Sequence, residues 1–243
     1  MKYLITVTLC SLLLLGCTPS NSNNRKNNTA STLTGKATTP LPFLHLDTTF
    51  TFETKTLDTL PQNWSQYATG RDNTTQWKII DDDGNKVLAQ LSSNHPNYHF
   101  NDIVFDGFII KNMELKVKIK GVDGQMDQGG GFIWRFIDSD NYYVVRANPL
   151  EDNVVLYKVK NGKRTDLPLI DKGKTYGVNV PTLGNDWNTL KLTVLDDLFT
   201  VYLNGQQIFQ VRDNTFTGAG KVGLWTKADA VSYFDDFKVR SIE

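Results

Sequence analysis

The sequence contains few of the residues that cross-linked or reactive sites require. Its cysteines are Cys10 and Cys17, so residues 43–243 offer no thiol for a disulfide, a zinc site or a nucleophile. Glutamate is also scarce, and its positions are Glu53, Glu114, Glu151 and Glu243. The folded part must therefore be stabilised by packing, and any acid–base chemistry has few glutamates available.

Net charge and helical periodicity are missing as well. Lysine and arginine total 26, and aspartate and glutamate also total 26. No overall field would attract nucleic acid, and we expect no nucleic-acid partner. Beyond the first 16 residues, no stretch of twelve residues has the hydrophobic period of a helix. The absence of helical periodicity favours an all-β protein.

The N-terminus has the pattern of an export signal. Met1-Lys2 precedes the apolar run Leu4–Leu15, which is too short to span a membrane, and Leu14-Leu15-Gly16-Cys17 follows. This resembles a bacterial lipoprotein signal, which implies cleavage before Cys17 and acylation of Cys17. An ordinary secretory signal with a chance cysteine is the alternative. The lipoprotein interpretation predicts anchoring in the cell envelope, on the outer membrane facing the periplasm or the cell surface.

Composition divides the chain into three segments. Residues 1–16 form the signal, and residues 17–42, rich in Asn, Ser and Thr, are typical of a flexible linker. Residues 43–243 contain about twelve short β runs, which favour one two-sheet sandwich. The turn pairs between them include Asp83-Gly84, Asp106-Gly107, Asp123-Gly124, Asn161-Gly162 and Asn204-Gly205.

The stretch Gly129–Asn153 is the most informative about function. Its two strands are joined by Asp138-Ser139-Asp140-Asn141, and pairing across this turn places Arg135 opposite Val144 and Ile133 opposite Arg146. One face then carries Arg135, Tyr142 and Arg146. The opposite, core face carries Phe132, Trp134, Phe136, Tyr143, Val145 and Ala147. The cationic and aromatic face is the candidate binding surface.

The order of four segments along the chain resembles that of a known superfamily. The segments begin at Met113, Gly129, Trp187 and Gly220. This superfamily is the concanavalin A-like lectin/glucanase superfamily, in the group with laminin-G-like and 3-keto-disaccharide hydrolase (family-16-like) domains. The resemblance implies an antiparallel jelly-roll sandwich whose concave sheet binds sugar. It does not specify an activity, because this fold hosts lectins, hydrolases, lyases and adhesion modules.

A sugar site requires aromatic faces and planar or charged hydrogen-bonding groups. The predicted ligand-binding set is Arg135, Tyr142, Arg146, Asn148, Glu151, Asn153 and Tyr157. Tyr157 fits a core face with Val155 and Val159 equally well. The two arginines could instead form ion pairs with acidic loop residues. Carbohydrate binding is the first functional hypothesis, and we expect a monomer.

Two further functions stay open. Two-carboxylate hydrolysis is not indicated, because Glu114 is followed by Lys116 and Lys118 where family-16 glucanases alternate acidic residues. A 3-keto sugar, however, can lose its substituent after proton abstraction next to the carbonyl, which needs a base and an oxyanion partner. The candidate bases are Glu151 and His99, and the candidate partners are Arg135 and Arg146. An adhesion or scaffold lipoprotein that binds a protein is the third hypothesis.

Metal binding is expected at most at one place. Asp235 and Asp236 could supply oxygen ligands to a structural calcium ion, or one of them could cap a β-bulge. His95 and His99 are separated by Pro96 in a turn-like sequence and are interpreted as ordinary loop residues. No other cofactor is predicted.

Overall fold

The computed structural model describes residues 45–70 and 74–243, and this part of the chain contains β-strands and no helix. It accordingly includes no helix that could cross a membrane. The predicted signal, linker and Cys17 lie outside the described residues. The strands are β1 (Asp47–Phe50), β2 (Trp64–Thr69), β3 (Trp77–Asp82), β4 (Asn85–Gln90), β5 (Phe100–Ile110), β6 (Met113–Asp123), β7 (Gly130–Asp138), β8 (Asn141–Asn148), β9 (Asn153–Lys160), β10 (Lys163–Asp166), β11 (Val178–Asn179), β12 (Asn188–Leu195), β13 (Leu198–Leu203), β14 (Gln206–Arg212), β15 (Gly220–Lys227) and β16 (Val231–Ser241).

The strands form two antiparallel sheets of eight strands each, as the predicted jelly-roll sandwich requires. Sheet A has the order β14-β13-β12-β6-β16-β4-β3, with β1 beside β16. Sheet B has the order β10-β9-β8-β7-β15-β5-β2, with β11 beside β9. Neighbouring strands in each sheet are often distant in sequence, so the fold depends on long-range pairing.

One hydrophobic core lies between the sheets. Side chains that alternate along each strand form this core. In β12, Leu190, Leu192 and Val194 point inward, while the residues between them point away. From sheet B, Phe132 and Trp134 enter the same core. Burying each such side chain contributes about 1.5–3 kcal/mol. With no thiol in residues 43–243, this burial is the main source of stability.

Sheet B carries a second apolar cluster on its outer face, the face away from sheet A. Its members are Phe100, Val104, Ile133, Phe136, Tyr142, Val144, Val155, Tyr157, Val159 and Trp225. In a flat sheet β10 and β5 would stand about 24 Å apart, at 4.8 Å per strand. The guanidinium carbon of Arg164 in β10 lies only 5.0 Å from the ring of Phe100 in β5. Sheet B is therefore strongly concave on this face.

The β7–β8 hairpin differs from its predicted register. Ile133 pairs with Val144 and Gly131 with Arg146, a shift of two residues, and the register breaks between Trp134 and Asp138. A two-residue shift keeps every side chain on its face, so Trp134 and Tyr143 lie between the sheets as predicted.

A bulge reverses the faces beyond Trp134. Arg135 has a φ of 49°, and its side chain lies on the inter-sheet side, 5.6 Å from the ring of Phe199. Phe136 consequently joins the outer cluster. The predicted placement of Arg135 on the binding face and of Phe136 in the inter-sheet core is therefore wrong.

This bulge has a steric requirement at Gly220, in the neighbouring strand β15. A Cβ atom there would lie 2.6 Å from the Cα and carbonyl carbon of Arg135. We expect Gly220→Ala to lower the free energy of unfolding by about 1–3 kcal/mol, because backbone atoms must move. Urea unfolding measures the effect. Gly218→Ala is the matched control, since no atom lies within 4 Å of its Cβ; equal losses in both variants would contradict the proposed constraint.

Candidate functional site

Polar side chains converge at the end of the concave face where β8 turns into β9. Arg146 projects from β8 and is buried. Its Nη2 atom donates hydrogen bonds to Glu151 Oε2 at 2.6 Å and to Tyr157 Oη at 3.3 Å, and its Nη1 donates to Asn153 Oδ1. Asp152 adopts a φ of 49° in the intervening turn, which returns the chain to β9. We call Arg146, Glu151, Asn153, Tyr157 and Tyr176 the Arg146 cluster.

Glu151 supplies an accessible carboxylate to this cluster. Its side chain is 35% exposed. Burial by itself would raise the pKa of Glu151, but the charge and hydrogen bond of Arg146 outweigh this and lower it below its ordinary value. The carboxylate is therefore ionised at neutral pH and can accept hydrogen bonds from a ligand.

A second charged pair lies beside the cluster. Lys227 Nζ is 3.0 Å from Asp127 Oδ2, and Asn148 Nδ2 donates to Asp127 Oδ1 at 3.0 Å. Burial would lower the pKa of Arg146, but Tyr157, Asp127 and Glu151 hold it above its ordinary value. Positive and negative groups thus alternate across this end of the face.

Tyr176 brings an exposed aromatic ring to the same place. Tyr157 Oη donates to Tyr176 Oη at 3.0 Å, and the two rings meet edge to face with centroids 6.0 Å apart. Tyr176 is 46% exposed. The segment that carries it reaches the cluster because Val178 and Asn179 pair with Val154 and Asn153 of β9.

Comparison with family models identifies the relatives of this fold. Residues 49–240 match the model of the 3-keto-alpha-glucoside-1,2-lyase-like domain. The chain belongs to this family. The fold and family expected from the sequence are confirmed.

Two solved bacterial structures have a similar fold. The carbohydrate binding module CBM66 from Bacillus subtilis has a TM-score of 0.58 and 20% sequence identity, covering 74% of this chain and 96% of that chain. Domain 4 of AbnA, a GH43 extracellular arabinanase from Geobacillus stearothermophilus solved with arabinotriose, has a TM-score of 0.50 and 16% identity, covering 79% and 90%. At these identities the likeness shows the fold alone. No curated protein matches the chain.

In this lyase-like domain, most of the predicted ligand-binding residues do lie together. Arg146, Glu151, Asn153 and Tyr157 form the cluster, and Asn148 is buried beside it against Asp127. The sequence did not indicate Tyr176, Asp127 or Lys227. They come from loops and strand ends without a local signal, and long-range pairing brings them here.

Arg135 is not part of this group. Its guanidinium donates to the carbonyl oxygens of Phe216, at 2.7 Å, and of Asp196 and Lys111. Burial lowers the pKa of Arg135 below its ordinary value. The role that we predicted for it in ligand binding is replaced by the anchoring of loops between the sheets.

Tyr142 lies on the predicted face but is fully buried. Its hydroxyl is 2.9 Å from Thr69 Oγ1 and 3.5 Å from Asp102 Oδ1. Burial raises the pKa of Asp102 well above its usual range, which favours a neutral acid. The expectation that Tyr142 contacts a ligand on an open surface is wrong, because the concave face is packed at this point.

His99 does not join Glu151 either. It is buried just before β5, where its Nε2 lies 3.1 Å from Asn101 Oδ1 and its ring stacks on His95 with centroids 3.9 Å apart. Asn101 Nδ2 in turn donates a hydrogen bond to Thr226 Oγ1 at 3.2 Å. Of the two predicted bases, Glu151 is the one that lies in the Arg146 cluster.

Asp235 and Asp236 form a β-bulge in β16. Asp236 has a φ of 48°, its N–H donates to Asp235 Oδ1 at 2.7 Å, and its carboxylate pairs with Lys118 at 2.7 Å. Within residues 45–70 and 74–243, no group of three or more His, Cys, Asp or Glu is placed to hold a metal. The alternative use of an aspartate in a bulge is observed, and calcium binding stays a prediction.

Two clefts lie elsewhere on the surface. One of about 590 Å³ has walls formed largely by apolar groups such as Phe108 and Ile110. The other, about 660 Å³, lies on the outer face of sheet A, where Glu114 is paired with Lys191 and Arg240. Neither gathers buried, oriented polar groups as the Arg146 cluster does, so we place the candidate site at the cluster.

Proposed function

We propose that this domain binds a carbohydrate at the Arg146 cluster. The supporting observation is that an ionised, accessible Glu151 and an exposed Tyr176 ring flank a hydrogen-bonded network fixed by buried Arg146. An aromatic face beside preorganised charged groups is what a pyranose or furanose ring requires. Two proteins of similar fold add support, since one is a carbohydrate binding module and the other was solved with arabinotriose.

Replacing the exposed ring tests this proposal. We expect Tyr176→Ala to weaken binding of a glycan identified on a glycan array by about tenfold, since a lost aromatic contact costs about 1–1.5 kcal/mol. Isothermal titration calorimetry measures the change. Tyr202→Ala, on sheet A, is the control and should bind like the wild type. If the array shows no glycan and the protein captures a protein partner instead, the adhesion hypothesis replaces ours.

A keto-sugar lyase is the second candidate, favoured by the family match over residues 49–240. The Glu151 carboxylate would take the proton from the carbon next to the keto group. The C–H electrons would form a double bond as the glycosidic C–O bond breaks, and the departing oxygen would gain a proton. Arg146 would stabilise the negative charge on the keto oxygen. The low pKa of Glu151 makes it a weak base, which is why we rank binding first.

An activity assay on a keto-glycoside distinguishes the lyase proposal from the binding proposal. If the lyase proposal holds, the purified protein should release 4-nitrophenol from 4-nitrophenyl 3-keto-α-glucoside, and Glu151→Gln should lose this activity by about 100-fold or more. The matched glucoside without the keto group is the control substrate and should not react. Absence of release from both substrates would remove the lyase candidate and leave binding as the function.

We also propose that the domain is held in the cell envelope by a lipid on Cys17, with residues 17–42 as its tether. The motif Leu14-Leu15-Gly16-Cys17 supports this. Labelled palmitate should be incorporated by the wild type and not by Cys17→Ala. Labelling of that variant would contradict the assignment.

A further inference from the structure

Arg164 of β10 differs from the other arginines in the described residues. Each of those has an oxygen partner: Arg135 binds backbone carbonyls, Arg146 binds Glu151, Arg212 binds Asp197 and Arg240 binds Glu114. The guanidinium of Arg164 forms no ion pair within residues 45–70 and 74–243, and its buried Nη1 has no hydrogen-bond partner there. The buried Nε atoms of Arg135, Arg146 and Arg240 also lack a partner, but in Arg164 no guanidinium nitrogen has one among the described residues, so the whole group has unused binding capacity.

Aromatic rings hold this guanidinium in place. Its central carbon lies 4.4 Å from the ring centroid of Tyr157, 5.0 Å from that of Phe100 and 5.9 Å from that of Trp225. Cation–π contacts stabilise the charge and leave the N–H groups in the guanidinium plane available. Arg164 is half-buried and its Nη1 is covered, so a ligand from solvent would approach its Nε and Nη2 atoms.

The position of Arg164 connects it to the proposed sugar site. Tyr157 is shared, because the guanidinium carbon of Arg146 lies 6.0 Å from the same ring. The hydroxyl of Tyr157 then contacts Tyr176 at 3.0 Å. A ligand bound at the Arg146 cluster would therefore lie beside Arg164.

The neighbouring carboxyl groups do not compensate this charge. Asp166, two residues along β10, pairs with Lys174 at 3.5 Å. Asp102 is fully buried, and burial raises its pKa well above the usual range, which favours the neutral form. By contrast, the charge of Arg146 is matched by Glu151 at 2.6 Å.

We infer that the carbohydrate recognised at the Arg146 cluster carries a carboxylate, as a uronic acid does, and that Arg164 pairs with it. The planar guanidinium fits a carboxylate through two parallel N–H···O bonds. The exposed Glu151 and Tyr176 would then contact the same glycan, and buried Arg146 would hold Glu151 in position. This inference rests on the proposed function, since it names the substrate class of that site.

The test compares acidic glycans with their neutral counterparts on the purified full-length protein. The probes are trigalacturonate, triglucuronate and trimannuronate, each beside its carboxyl-reduced form, with a sulfated galactotriose as a second anion. Calorimetry should show at least one uronate bound about tenfold or more tightly than its reduced form. Arg164→Met, which keeps the length and apolar stem, should abolish that preference. The exposed Arg212→Met is the matched control and should preserve it.

The other outcomes separate the two proposals. Binding of neutral glycans only, an unchanged preference in Arg164→Met, or equal affinity for the sulfated sugar would overturn the carboxylate assignment and leave carbohydrate binding intact. No binding to any sugar of the array would overturn both. Thermal unfolding checks each variant. If Arg164→Met does not fold, Arg164→Lys, which lacks the planar fork, should weaken uronate binding several-fold while leaving binding of the reduced form unchanged.

Discussion

The inward curvature of sheet B brings Arg164 of β10 within 5.0 Å of Phe100 in β5, and the rest of the molecule depends on this closure. Side chains that alternate along the strands are buried on both faces, against sheet A on one side and against each other on the other. The concave face is thus largely a second core. The proposed ligand site is at its polar end, where Glu151 and Tyr176 are accessible.

The burial of both faces of sheet B also limits where charged side chains can lie. Arg146 is buried where Glu151, Asn153 and Tyr157 accept hydrogen bonds from its Nη atoms, and Asp127 where Lys227 and Asn148 donate to its oxygens. Arg164 depends on aromatic rings instead. In the proposed site, hydrogen-bonded polar groups would fix the geometry, and the guanidinium of Arg164 would be the group to which a ligand adds a new interaction.

Several features of the fold and of the candidate site could be predicted from local sequence patterns. The turn pairs and the alternation of Leu190, Leu192 and Val194 indicate strands, because period-two alternation depends only on neighbouring residues. The turn after β8 also placed Arg146, Glu151 and Asn153 correctly, since residues so close in sequence must meet. The faces of Arg135 and Phe136 were not predictable in this way. One residue with positive φ reverses the alternation, and the space for it comes from Gly220 in β15, a neighbouring strand that is distant in sequence.

The sequence by itself therefore determined the fold class and the local polar turn, because these depend on periodicity, turn chemistry and short separations along the chain, and the family was indicated by the resemblance of four segments. Only the tertiary structure decided which side chains share a site. Tyr176, Asp127, Lys227 and Arg164 reach the Arg146 region through pairing across sheet B and through its curvature. Such long-range pairing is set by the burial of whole strands, which no local pattern around those residues records.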